Sequence, residues 1–92
     1  MFVKVIYFAE FKNITGKDNE EFNLSESTLN GLLSILFEKY NLRSFLWDEK
    51  KQELHNLVSI IINNQAIHEK NPKIIHLNHN DIITFLLPVS GG

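Results

Sequence analysis

Leu29, Leu32, Leu33, Leu36, Phe37 and Tyr40 fall at i, i+3, i+4, i+7, i+8 and i+11, the apolar stripe of one amphipathic helix. No other segment of the 92-residue chain carries such a stripe. A single helix hides its apolar side only by lying across a sheet, so the fold class is α+β. Ser27 or Thr28 can cap the free N–H groups of the helix, and Glu26 sits near its positive end. Gly31 weakens the first turn by about 1 kcal/mol relative to Ala, and Asn41 suits a left-handed terminator.

The strands follow from period-two patterns. Residues 2–8 place Val3, Val5 and Tyr7 on one face and Phe2, Lys4, Ile6 and Phe8 on the other, with Lys4 marking the wetter side. Residues 13–19 hold turn chemistry in Gly16, Asp18 and Asn19. Residues 20–24 then alternate, with Phe22 and Leu24 on one face, and close a hairpin with a long loop. Leu42, Phe45, Leu46 and Trp47 suit a short helical turn over one end of the core, followed by a polar loop at 48–52. Residues 57–63 read as a strand with Val58, Ile60 and Ile62 inward and Ser59 and Ile61 outward. Asn63-Asn64 supplies a turn, 65–67 pairs back, and Ile74-Ile75 forms another short element. After a turn at 78–81, residues 82–87 make the last strand, which Pro88 stops. The expected architecture is a mixed sheet of four to five strands with one main helix across one face.

Composition narrows the functions. Eight Lys and one Arg against eleven acids give a net charge of −2, and the doublet Lys50-Lys51 is surrounded by Asp48, Glu49 and Glu53, so no basic footprint for nucleic acid is present. The apolar runs are strand-length, which predicts no membrane span. The N-terminal segment lacks a basic lead and an unbroken apolar stretch, so it does not read as a signal peptide. The chain has no cysteine, which removes disulfides, thiolate metal sites and a cysteine nucleophile and points to the cytoplasm. His76 and His79, with His68 and Asp81 nearby, are weighed as a metal clip against surface histidines. The second is expected, because the pair flanks a turn and lacks a fourth ligand. Ser25, Ser27 and Ser44 lack a nucleophile motif. Phe45 and Trp47 suit core packing better than a base-stacking platform, since no basic residues track phosphate.

Two of the four glycines are the last two residues, in Pro88-Val89-Ser90-Gly91-Gly92. Such an end is either a frayed terminus or a slender segment that threads a narrow channel and presents its carboxylate to another protein. The division is thus a folded domain at 1–87 and a flexible tail at 88–92.

With these segments in order, the chain resembles the MoaD/ThiS sulfur carriers. The carriers of the likeness are Val3-Lys4-Val5-Ile6-Tyr7-Phe8-Ala9-Glu10 with Gly16, Thr28-Leu29 leading to Leu32-Leu33, Ile60-Ile61-Ile62-Asn63, the stretch from Leu77 through Asp81-Ile82, and the terminal pentapeptide. The insertion at 42–56 is similar to the archaeal branch, which includes the small archaeal modifier proteins. The resemblance implies a β-grasp, ubiquitin-like fold. It also implies that an E1-like (MoeB/ThiF-type) activating enzyme uses ATP to adenylate Gly92, after which sulfur replaces the adenylate to give a thiocarboxylate. The chain itself would bind no cofactor and no metal. In MoaD-type members the tail enters the MoaE-like large subunit of molybdopterin synthase and gives up its sulfur; in modifier-type members the glycine is joined to lysines of target proteins. Carried over, Gly92 is the reacting residue, Gly91 its slender neighbour, and Pro88, Val89 and Ser90 the threading segment. Phe8 and Leu86 would be exposed apolar contacts for partners, although neighbouring side chains could partly cover both. Asn80-Asp81 stands where the family has Gly-Asp, and Leu87-Pro88 where it often has two prolines. Neither nucleic acid nor membrane is an expected partner.

Overall fold

The alternation at the N-terminus becomes strand β1 (Phe2–Ile6), with Val3 and Val5 buried and Phe2 exposed. The computed structural model describes residues 1–88, so Val89, Ser90, Gly91 and Gly92, and most of the expected tail, lie outside the described residues. Helix α1 (Glu10–Thr15), β2 (Asn19–Asn23), α2 (Leu29–Lys39), α3 (Arg43–Leu46), β3 (Trp47–Asp48), β4 (Glu53–Leu54), β5 (Ser59–Ile62) and β6 (Gln65–Ile67) follow. A 3-10 turn at Pro72–Ile74 precedes β7 (Ile82–Leu86). Five strands form one mixed sheet in the order β2-β1-β7-β5-β6. The central pair β1–β7 is parallel and the other pairs are antiparallel.

Leu29, Leu32, Leu33 and Leu36 of α2 are buried in one cluster with Val3, Val5, Phe22, Ile60, Ile62, Ile83 and Phe85 of the sheet. Each such side chain stabilises by about 1.5–3 kcal/mol when removed from water. The cap is Thr28, whose hydroxyl accepts from the N–H of Gly31 at 3.2 Å. Gly31 is more than a weak point in the first turn. A Cβ there would stand 2.5 Å from the carbonyl oxygen of Glu26, so the incoming chain passes too close for any side chain.

The Asn-rich turns behave as their chemistry predicts. Asn63 and Asn64 both take positive φ, 51° and 70°, the geometry of a two-residue hairpin that pairs Ile62 with Gln65. Asn80 also takes a positive φ of 72°, so it fills the left-handed position that the glycine-bearing pattern implies.

Three expectations are corrected. Helix α1 occupies the start of the expected turn; Phe11 is buried within it, and its ring lies 6.2 Å from those of both Phe45 and Phe85. Gly16 ends α1 in the left-handed conformation, its N–H donating to Lys12 O at 2.8 Å. Asn41 does not terminate α2 in the left-handed conformation; the helix ends at Tyr40, which is extended and whose N–H donates to Leu36 O at 2.9 Å. The expected polar loop is the tip of a second, two-stranded sheet of β3 and β4, within which Asp48 Oδ1 accepts from the N–H groups of Lys50 and Lys51.

Candidate functional site

β1 and β7 run parallel, so their C-terminal ends emerge at the same edge of the sheet, where Pro88 leads into the tail. Lys4 is level with Ile82 and Ile6 with Thr84. Thr84 is in turn level with Ile61, and Ile61 with Ala66. Ile6, Thr84, Ile61 and Ala66 therefore form a row across the face opposite α2, since their buried neighbours Val5, Ile83, Phe85, Ile60 and Ile62 point the other way. Phe8, just past β1, is 51% exposed. Leu86, level with Ser59, is half-buried. Of the two expected contact residues, Phe8 is thus open and Leu86 is partly covered by its neighbours.

Two polar clusters hold this surface in place. Glu20 pairs with Val5 across the β1–β2 ladder and so shares the inward parity of Phe22. An acid at such a position needs partners. Its Oε1 accepts from the hydroxyls of Tyr7 at 3.0 Å and Tyr40 at 2.7 Å, and its Oε2 from the ammonium groups of Lys17 and Lys39. Partial burial pushes this carboxyl up, but the hydrogen bonds from Lys39, Tyr40, Lys17 and Tyr7 outweigh it and hold the group at about 2. Burial, followed by the bond to Glu20, raises the Tyr7 hydroxyl well above its ordinary range, so it remains a donor.

At the other end, buried Asp81 joins two turns. Its Oδ1 accepts from the Asn63 amide at 2.6 Å and its Oδ2 from the Asn78 N–H at 2.7 Å. The N–H of Ile82 donates to Asn63 Oδ1 at 3.0 Å, which starts β7 in register beside β1.

His79 is drawn into the same end: its Nδ1 accepts from the Phe2 N–H at 3.0 Å. Among the described residues no group of three His, Cys, Asp or Glu side chains could hold a metal, and no helix is long and apolar enough to cross a membrane. Trp47 is half-buried beneath the Arg43 guanidinium, 5.9 Å away, which also covers Phe37 at 5.4 Å. Gly92, expected as the reacting residue, Gly91, expected as its slender neighbour, and Val89 and Ser90 before them lie outside the described residues; Pro88 is described and exposed. A groove that the sequence did not indicate opens beside Pro88, lined by Ser44, Phe45, His55, Leu57 and Leu87. Its only signal in the sequence is Leu57, an apolar residue before an already well-filled strand.

The profile of the ThiS family matches residues 5–92. The chain belongs to the ThiS family. No curated protein matches it in sequence. As a ThiS-family chain it is similar to the solution structure of small archaeal modifier protein 1 (SAMP1) from Methanosarcina acetivorans, with 30% identity, 99% of this chain and 96% of that chain covered, and a TM-score of 0.77. The crystal structure of SAMP1 from Haloferax volcanii is similar over 100% of both chains, at 19% identity and a TM-score of 0.81. A chain from the complex of subunits 1 and 2 of molybdopterin-converting factor from Helicobacter pylori 26695 matches over 100% of both chains, at 27% identity and a TM-score of 0.66. The ThiS-family chain has the β-grasp, ubiquitin-like α+β fold, with five strands in the main sheet. It is a member of the ubiquitin-like carrier and modifier group to which these proteins belong.

Proposed function

We propose that the chain is a sulfur carrier resembling the small subunit of molybdopterin synthase. In this function a Gly92 carboxylate oxygen attacks the α-phosphorus of ATP on an E1-like (MoeB/ThiF-type) enzyme, and pyrophosphate leaves. Hydrosulfide delivered by another protein then attacks the acyl carbon and displaces AMP, and the resulting thiocarboxylate donates sulfur to molybdenum cofactor assembly. A carboxylate is a poor electrophile, and adenylation supplies the leaving group. This chain contributes the slender Gly91-Gly92 end, the threading residues Pro88, Val89 and Ser90, and the apolar face around Phe8 and Leu86 for docking on a MoaE-like large subunit. ATP is bound by the activating enzyme, and the chain acts as a cytoplasmic carrier rather than a complete enzyme.

The observation that carries this function is the family match running through Gly92, together with the shared fold of a molybdopterin-converting factor subunit at 27% identity. A second function is favoured by the 30% identity to a small archaeal modifier protein: joining of Gly92 to lysines of target proteins.

Intact mass of the protein from its native cytosol, under denaturing and non-reducing conditions, tests both. A fraction heavier by one oxygen-to-sulfur exchange at Gly92 supports the carrier. A ladder of lysine-linked conjugates supports the modifier. A single unmodified mass with no ladder would rule against both.

A further inference from the structure

The groove beside Pro88 has a volume of about 350 Å³ and is lined by Ser44, Phe45, His55, Leu57, Leu87 and Pro88. Among the described residues no Asp, Glu, Lys or Arg side chain lines it. Leu57 is 59% exposed, the most open large apolar residue among those described, and hydrogen bonds join the backbone around it. The Leu57 N–H donates to His55 Nδ1 at 3.1 Å, the His55 N–H donates to Leu46 O at 2.9 Å, and the Val58 N–H donates to His55 O at 3.2 Å. With Nδ1 accepting, the neutral imidazole carries its hydrogen on Nε2, a donor available to a backbone carbonyl at the rim of the groove.

Leu87 shares the parity of buried Ile83 and Phe85, whereas Leu86 shares that of Thr84 on the opposite face. Leu87 and Pro88 therefore stand between two apolar surfaces: the sheet face with Phe8 and Leu86, and the groove with Phe45 and Leu57. We infer that the groove is a second docking surface, filled by an aliphatic side chain of the enzyme that adenylates Gly92; this rests on the function proposed above.

The reach of the chain selects this occupant. Four residues, 89–92, span at most about 14 Å when fully extended. An enzyme acting at Gly92 must bring the mouth of its site within that distance of Pro88, and Pro88 is itself a wall of the groove. Four residues are too few to make a stable interface, which typically covers about 800 Å² per partner. The remaining contact must come from the surfaces flanking the root of the tail. A charged occupant would lose its hydration in the groove without gaining a partner, whereas an aliphatic one removes Leu57 and Phe45 from water.

The test measures initial rates of Gly92 adenylation, by intact mass, with ATP and the E1-like enzyme of the same cell. The substrates are the wild-type chain, Leu57→Glu and Leu57→Met, each checked for an unchanged melting temperature. Leu57→Glu should raise the KM for the carrier by about tenfold or more at unchanged kcat, an effect the size of an interface hot spot, and Leu57→Met should stay within about twofold of wild type. Equal KM for Leu57→Glu and wild type would overturn the inference and leave the proposed function standing. Unchanged KM with loss of self-association in sedimentation would assign the groove to a second copy and also overturn it. No adenylation of the wild-type chain would remove both the inference and the function on which it rests.

Discussion

The side-chain amide of Asn63 donates to the buried carboxylate of Asp81 at 2.6 Å across 18 residues of chain. Through it the turn after β5 and the turn before β7 become one unit. Asn63 also accepts from the Ile82 N–H, and the Lys4 N–H donates to Asp81 O at 2.9 Å. The register of three strands, and with it the direction in which β7 delivers Pro88, depends on this pair.

Asp81→Ala leaves the Asn63 amide and the Asn78 N–H without an acceptor and should cost about 2–3 kcal/mol. Asn63→Ala should cost less, about 1–2 kcal/mol, and the double variant should cost less than the sum, because both remove one interaction. Urea midpoints at constant m-value provide the check; strict additivity would show that the pair is not coupled.

Gly31→Ala separates propensity from packing by its sign. Helix propensity alone predicts a gain of about 1 kcal/mol. The Cβ would meet the Glu26 carbonyl at 2.5 Å, so the variant should instead lose about 1–3 kcal/mol. A higher melting temperature would mean that the loop before α2 yields easily.

Glu20 gives the pH dependence. Its carboxyl lies at about 2 in the folded chain against an ordinary value of 4.5. A depressed carboxyl contributes stability that is present above 4.5 and is lost as pH falls from there toward 2. Because the Lys17 and Lys39 side chains are 44% and 46% exposed, solvent screens their share. Glu20→Gln should therefore cost about 1–2 kcal/mol at pH 7, and its unfolding free energy should vary less than that of wild type between pH 5 and 2.

Phe8→Asp tests the sheet face. With Phe8 half-exposed, the substitution should leave stability within about 0.5 kcal/mol while weakening binding to a MoaE-like subunit by about tenfold or more. Deleting Gly92 should abolish thiocarboxylate formation at an unchanged melting temperature. Wild-type binding by Phe8→Asp in calorimetry would move the docking surface elsewhere.

Much of this molecule was legible in its residues. The leucine stripe of α2 spans three turns, and a period repeated that often admits one interpretation. The parity of Val3, Val5 and Tyr7 and of Val58, Ile60 and Ile62 holds in the structure, because one buried face fixes the register of every strand. Asn63, Asn64 and Asn80 adopt the positive φ values that their chemistry tolerates.

Short elements hid for a matching reason. Helix α1 has six residues and one buried side chain, Phe11, too few for a period to register. The β3–β4 hairpin rests on two pairs. Glu20 shares the parity of Phe22 and Leu24, whereas Glu21 is exposed, but the tyrosines and lysines that satisfy it come from residues 7, 17, 39 and 40.

The sequence by itself therefore determined the fold class, the faces of the long elements and the family of the glycine-ended tail, because each rests on a repeat or motif contained in adjacent residues. The tertiary structure alone decided that Gly31 must be glycine, that Glu20 gathers two tyrosines and two lysines, and that Leu57 stands over a groove at the root of the tail. Each of these depends on distances between residues that are not neighbours on the same strand or helix, and such distances exist only once the chain has folded.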